Sequence, residues 1–564
     1  MPRKHGLWSL VLGAVVLMSM ALVACGPSGG SPGGNSGGQA VKGGSMIDGL
    51  FEEPDTLLPF LTNETYSVMV DQALWAPLWY GDPQGALHAG IATDVPSVQN
   101  QGISADAKTY TIHLKPNLKW SDGSPLTADD LAFSLNLYAN PDFANTFGFP
   151  LTTDPDGVAS VNKVDSTTVS IAFKQPRVTI NALLADGASS IIPQKVFGSM
   201  KPADVAKSTE NFKPTVDSGP FMVKDRVQGS NITLVRNPNY YQDGRPYLDQ
   251  VTFQIIPDQS TILTALQSGQ IDSSWFLDVN KLTSYRGIQG YTTYVDPHPA
   301  GFENIVFNLT NPILADHNVR QALTESFKVD DLITQVWHGA AVKTCDDHGG
   351  TPFHEQNVTC YNYDPTDAGK LLDASGWTMG SDQLRHKGGK TLELRYSTTA
   401  GKAYREQTEV LAQAAWKKIG VKIDIVNYPA NQYFAAGQKG ILSSGNFDIG
   451  EFANTLGYDP DDHTTFQSDQ TPDKGGSNYA HYSNPTVDQA EHDQVSNPDV
   501  NARKADFQKI HAEVLKDLPN MYYYTAANIS VYNNKLHNYQ PSPLGPSETW
   551  NIWDWWLTGG KSTH

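Results

Sequence analysis

Residues 392–425 read LELRYSTTAGKAYREQTEVLAQAAWKKIGVKIDI, and the order of apolar positions in this stretch decides the fold class. Leu392, Leu394 and Tyr396 alternate with Glu393 and Arg395, the period of a strand with one buried face. Val410, Leu411, Ala414 and Ile419 recur at helical spacing, and Gly420 is a natural stop just past a helix. Val421, Ile423 and Ile425 then alternate with Lys422 and Asp424 as a second strand. Strand, helix and strand with short links form a crossover that joins parallel strands, so the chain is α/β.

The same grammar extends outward. Val319, Ala322, Leu323, Ser326 and Phe327 share one helical face. Tyr110, Ile112 and Leu114 mark a strand, and Ser121-Asp122-Gly123-Ser124-Pro125 is the turn after it. Thr127 is placed to cap the next helix, with Asp130 at its third position and Leu126 and Leu131 as a hydrophobic staple. The body from Ser45 to His564 is too long for one small core and predicts two or more lobes.

The N-terminus carries an address. Arg3, Lys4 and His5 precede an apolar run from Leu7 to Val23, which is slightly short for a membrane span of roughly 20 residues. Such a layout reads as a secretory signal. Leu22-Val23-Ala24-Cys25 adds more, because it resembles the lipobox of bacterial lipoproteins, in which the thiol is acylated. An ordinary signal peptide or a short anchor helix that contains a cysteine is the plainer alternative. Gly26 to Gly44, GPSGGSPGGNSGGQAVKGG, cannot bury a core and predicts a flexible tether spanning roughly 25 Å. Residues 1–24 are therefore expected to be a signal peptide and 25–44 a lipidated cysteine with its linker. The protein is expected to be exported and held at the outer face of the cytoplasmic membrane. No later stretch is apolar enough to span a bilayer.

The chain has 40 basic and 59 acidic residues, a net charge of −19, which argues against nucleic acid and against polybasic adhesion to lipid headgroups. Beyond Cys25 only Cys345 and Cys360 remain. In an oxidising compartment, a disulfide closing this loop would stabilise by roughly 3 kcal/mol. The rival is zinc held by Cys345, His348, His354 and Cys360, although that spacing departs from common zinc modules. Asp346, Asp347 and Gly349-Gly350 suggest a solvated loop there, and the disulfide is the preferred reading.

Several segments, taken in order, resemble the family 5 extracellular solute-binding proteins, receptors of oligopeptide-, dipeptide- and nickel-type ABC importers. They are Glu53-Pro54-Asp55-Thr56-Leu57-Leu58-Pro59, Leu74-Trp75-Ala76-Pro77-Leu78, residues 109–115 with 119–130, Ser218-Gly219-Pro220-Phe221, Arg236-Asn237-Pro238-Asn239-Tyr240-Tyr241, Leu266 to Asp272, and Val319-Arg320-Gln321-Ala322-Leu323. The resemblance covers residues 45–556. It implies a large two-lobed periplasmic-binding-protein-like fold of class C type, with a hinge and a discontinuous first lobe. Lobe I would comprise 45–299 with an inserted subdomain about 86–212, lobe II 300–525, and residues 526–564 would return to lobe I. The crossings are expected near His298–Phe302 and Tyr524–Ala527. Closure would be a hinge equilibrium.

The resemblance also implies the ligand contacts: Phe302, Glu303 and Asn304 at the hinge, and Phe452, Asn454, Leu456, Tyr458 and Asp459 in a lobe II loop. In peptide-binding relatives an Asp four residues before the loop's Pro pairs with the peptide amine. Here that position is Leu456, so Asp459 or Glu303 must substitute, or the ligand has no such amine. Trp75, Trp79, Trp416 and the Tyr522-Tyr523-Tyr524 run are aromatic candidates for stacking. Of these Trp416 and Tyr523 are the chosen contacts, with core packing as the plainer reading. Trp550, Trp553, Trp555 and Trp556 suit packing of the last segment on lobe I.

The expected role is capture of oligopeptides for delivery to ABC permease subunits, by a lipid-anchored monomer with no cofactor, no metal and no nucleic acid. An oligosaccharide or a metal chelate is the alternative cargo. A tethered surface hydrolase is the alternative class, but from Ser45 onward there is no G-x-S-x-G, no H-E-x-x-H and no phosphate-binding glycine loop.

Overall fold

The strand–helix–strand unit is present: Glu393–Ser397 and Lys422–Ile425 pair in parallel around the helix Ala403–Lys418. Gly420 adopts φ +86°, a left-handed conformation that ends the helix. The buried face differs from the expected one. Val410 is exposed, and Arg405, Thr408, Glu409, Ala412 and Trp416 face inward. Polar residues occupy that face within a buried network: Arg405 donates to Thr399 and Glu303, and one oxygen of Glu409 accepts from Asn427.

The computed structural model describes residues 39–61, 64–143, 157–185, 190–296, 301–349, 351, 353–354, 358–435, 440–474, 476–542, 544 and 548–561. The signal, Cys25 and most of the linker lie outside these. Among the described residues no helix is long and apolar enough to cross a membrane.

In the two large sheets, the first strands along the chain are β1 (Ser45–Leu50), β2 (Phe221–Val227), β3 (Asn231–Arg236), β4 (Gln250–Ile255), β5 (Ser273–Ser274) and β6 (Tyr291–Asp296). Next come β7 (Gly301–Phe307), β8 (Ala341–Lys343), β9 (Glu393–Ser397), β10 (Lys422–Ile425), β11 (Ile449–Thr455) and β12 (Asn520–Ala526). The last strand of these two sheets is β13 (Asn528–Asn533). The first sheet has the order β6-β13-β5-β1-β4-β3-β2, and the second β8-β12-β7-β11-β9-β10. Two lobes follow, each with its own sheet. The first is discontinuous, because β13 pairs antiparallel with both β5 and β6. The chain leaves the first sheet at Asp296 and joins the second at Gly301, with 297–300 not described, and it returns at Ala527 between β12 and β13.

Five helices position the site: α1 (Thr65–Leu74), α2 (Ala128–Tyr138), α3 (His317–Ser326), α4 (Ala403–Lys418) and α5 (Val500–Asp517). At α2 the capping box is complete, with Thr127 and Asp130 each bonding the other's backbone region. α3 buries Val319, Ala322 and Leu323 fully. A small antiparallel sheet of Thr109–His113, Thr168–Phe173 and Val158–Lys163 packs into the lobe I core through Tyr110, Ile112, Val169 and Ile171. Trp553 and Trp555 join the same core, as do Trp75 and Trp79. A second core runs from Ile262 and Leu266 through Ile529 to Trp416, so the region of the crossings is packed rather than open.

Candidate functional site

Between the lobes lies a cavity of about 560 Å³. Ligand pockets run about 300–1,000 Å³. Lobe I supplies Phe51, Glu52, Glu64, Tyr66, Gln259, Phe276 and Asp278 to its wall. Lobe II supplies Phe302, Glu303, Trp337, Lys402, Tyr404 and Asn454. Ala526 to Ile529, the second crossing, closes the back.

The lobe II wall is a ladder. β7 and β11 pair antiparallel with Phe302 opposite Asn454, Glu303 opposite Ala453, and Asn304 opposite Phe452. The hinge segment and the lobe II loop are thus two sides of one ribbon. Glu303 is 3% exposed and already neutralised. The Arg405 guanidinium donates to Oε1 at 2.8 Å and to Oε2 at 3.3 Å, and the Tyr404 hydroxyl donates to Oε1 at 3.1 Å. Behind it Glu451 is wholly buried. Burial first, and the Glu303 charge second, hold its carboxyl well above the usual carboxylate range. Tyr523 and Tyr396 bond its two oxygens at 2.6 and 3.1 Å.

The lobe I wall is less committed. Glu64 caps α1, accepting from the amides of Tyr66 and Ser67 at 2.8 and 2.7 Å, where the helix dipole favours an anion. Burial raises its pKa, and those two amides partly oppose the shift. Glu52 faces Lys402 across the cleft at 3.9 Å, with both side chains about half exposed. Asp278 also lines the cavity, so its open charge is mainly negative.

Of the ten expected contacts, Phe302, Glu303 and Asn454 reach the cavity, and the other seven are not among its lining residues. Trp416 is fully buried, its indole donating to the Leu323 carbonyl at 2.8 Å. Tyr523 is spent on Glu451. Asn304 donates to the Phe452 carbonyl at 2.8 Å, fixing the ribbon from within. Phe452 and Leu456 pack in a lobe II core. Asp459 cannot serve as a free anion, because Arg503 grips both its oxygens at 2.7 and 2.8 Å. Tyr458 instead reaches lobe I, donating to the Gly81 carbonyl at 3.2 Å. A Cβ on Gly81 would stand 2.0 Å from the Tyr458 ring. The amide of Val178 donates to the Val495 carbonyl at 2.9 Å, a second contact from lobe I to lobe II, so the cleft is closed here.

Tyr66, Gln259, Phe276, Asp278, Trp337, Lys402 and Tyr404 were missed. For Lys402 and Tyr404 a signal existed. Lys402 caps α4 after the end of β9 and Tyr404 is in the first turn of α4, and the carboxyl ends of parallel strands are where α/β sheets bind ligands.

Cys345 and Cys360 are joined in a disulfide. The four-residue zinc set that needs both thiolates is thereby excluded. The solvated reading of the loop is also overturned, since Asp346 and Asp347 are each 3% exposed. Partners in α5 and in the 459–463 loop cover them.

The sequence model of the bacterial extracellular solute-binding proteins, family 5 Middle, matches residues 87–477. Over 567 residues, 98% of this chain and 99% of the relative, the sequence is 27% identical to the oligopeptide-binding protein AppA of Bacillus subtilis. The structure of that protein in complex with a nonapeptide has a TM-score of 0.76 at 24% identity, covering 92% of this chain and all of the other. The oligopeptide-binding protein OppA of Lactococcus lactis is 27% identical over 74% of each chain. NikZ from Campylobacter jejuni, in complex with Ni(L-His), matches at TM-score 0.76 and 22% identity over 91% of this chain and 99% of its own, a likeness of fold.

Proposed function

The chain belongs to the family 5 bacterial extracellular solute-binding proteins, and from that membership we propose that it captures oligopeptides between its two lobes and delivers them to an ABC permease. Members of this family are substrate receptors and not enzymes. The observation that carries the peptide reading is the closed cavity, built against the β7–β11 ribbon and walled by Tyr66, Phe276, Trp337 and Tyr404. Aromatic walls accept varied side chains, and the acids Glu52, Glu64 and Asp278 in the wall suit a cationic amine that Leu456 cannot hold. No histidine lines this cavity among the described residues, which speaks against a chelate with a protein imidazole as ligand.

In this reading lobe I is 45–299 with a return at 526–564, lobe II is 300–525, and the crossings are the hinge. Cys25 carries the lipid, and the Gly/Ser/Pro stretch lets the body reach its permease. Calorimetry with pools of short peptides, and separately with cello- and xylo-oligosaccharides, tests the cargo. Heat from a peptide pool supports the reading. Silence with every peptide pool removes it.

A further inference from the structure

The loop after β8 and the helix α5 meet in a cluster that the cavity does not use. We propose that Asp346, Asp347, His348 and His511 form a buried binding site for one divalent transition-metal ion of the zinc type. Their exposures are 3%, 3%, 2% and 3%. His348 Nδ1 stands 3.4 Å from Asp347 Oδ1 and 3.9 Å from Asp346 Oδ1. From the other element, His511 Nδ1 stands 3.1 and 3.9 Å from the same two oxygens. Zinc bonds to nitrogen and oxygen are about 2.0–2.2 Å, which places adjacent ligands of a tetrahedron about 3.4 Å apart. These four approaches bracket that edge, and a ligand atom from each of Asp346, Asp347 and His348 lies within 4.8 Å of the others.

The second oxygen of Asp347 and Nε2 of His511 are buried and have no hydrogen-bond partner among the described residues. The Tyr522 hydroxyl, also buried, adjoins Asp347 without a hydrogen bond of ordinary geometry. The unpartnered oxygen leaves the Asp347 carboxylate able to bond the ion through both oxygens, whereas Nε2 of His511 lies on the far side of the ring from the contacting Nδ1 and takes an acceptor of its own. An outer shell is also in place. Asp462 Oδ2 is 3.4 Å from His348 Nε2, the carboxylate-behind-imidazole pattern that orients a metal-bound histidine. His354 bonds the far oxygen of Asp346.

The donor chemistry selects the ion. Two carboxylates and two imidazoles suit zinc and its neighbours, whereas calcium and magnesium prefer all-oxygen sites. The disulfide removes the only nearby thiols from the competition. The ion would join the disulfide loop to α5 across 164 positions of chain, so its role is structural.

The test uses the full chain, stripped with EDTA and dialysed. Zinc chloride is then titrated in competition with a chromophoric zinc indicator, with metal content measured by plasma emission. The expected result is one zinc per chain with micromolar or tighter affinity, and a rise in melting temperature. His511→Ala and Asp347→Asn should each weaken binding at least 100-fold. Asp462→Asn, outside the ligand set, should weaken it about 10–100-fold. Should the ligand variants fail to fold, zinc-edge absorption of the loaded wild type replaces them and must show nitrogen and oxygen neighbours with two imidazoles. A wild-type chain that takes up no zinc at tens of micromolar, variants that bind as tightly as wild type, or an absorption edge without imidazole overturns the site.

Discussion

Glu303 in lobe II and Asp217 in lobe I are carboxylates of similar burial, 3% and 1% exposed, and the fold treats them in opposite ways. Glu303 receives a guanidinium and a tyrosine hydroxyl. Asp217 receives no cation. Burial pushes its pKa up to about 8, with only the Ser121 hydroxyl and nearby amides opposing it. A carboxylate leaving water needs a partner or a proton. Lobe II, which forms the rigid wall of the cavity, uses partners twice, at Glu303–Arg405 and at Asp459–Arg503. Asp217 and Asp48 in lobe I have no such cation, and burial raises Asp48 to about 7. The contrast is between sites and not whole lobes, since Glu451 behind the lobe II wall is also raised by burial and Glu53 in lobe I is paired with Arg226.

Four experiments bear on that contrast. The largest effect belongs to Arg405→Ala, which leaves Glu303 buried without its cation. We expect a loss of about 3–5 kcal/mol in chemical denaturation, and a much smaller loss for the paired change Glu303→Gln with Arg405→Met. Equal losses in both would show that packing, not pairing, holds this wall. The arginine-held Asp459 also sets the place of Tyr458, so Gly81→Ala should prevent full closure on it. Peptide affinity by calorimetry should fall at least tenfold with little change in the melting temperature of the unliganded protein. Unchanged affinity would remove Tyr458–Gly81 from the closed state.

Asp217 gives the third. Its carboxyl titrates near 3.8 when unfolded and about 8 when folded, so the folded state holds more protons between those values. Its contribution is full below about pH 4 and is lost as pH rises to about 8. Asp217→Asn should therefore flatten the decline in melting temperature from pH 5 to pH 8, and at pH 8 melt a few degrees above wild type. A parallel decline in both proteins would assign the slope to other groups. The smallest effect is at the rim, where the exposed Glu52–Lys402 pair is worth less than about 1 kcal/mol. Glu52→Gln should change peptide affinity less than about fivefold, and salt should erase the difference.

Local pattern carried much of this fold into view. The capping box at Thr127, the stop at Gly420 and the parallel pair of β9 and β10 all depend on residues near each other in sequence. The buried face of α4 was not legible, because Arg405 and Glu409 read as solvated until Glu303 and Asn427 are brought to them. Asp346 and Asp347 failed for the same reason, since His511 lies far along the chain. In the cavity wall, Phe302, Glu303 and Asn454 were named from the resemblance, while their pairing in one ribbon was not legible. The aromatic choices at Trp416 and Tyr523 were not sound, because an indole or phenol bonded inside a core has the same sequence signature as one that stacks on a ligand.

β13 has a consequence in time. A ribosome makes β1, at Ser45–Leu50, hundreds of residues before Asn528–Asn533, the strand that lies between β5 and β6. Lobe II, with all six strands between Gly301 and Ala526, is complete earlier. Lobe I must wait with an open seam, because β13 lies well over two hundred residues beyond its partners β5 and β6 and such long closures are slow. An exposed strand edge is an invitation to wrong pairing. The last stretch of chain thus acts as a closing stitch, and a nascent chain cut short of β13 should present a finished lobe II beside an unsealed lobe I.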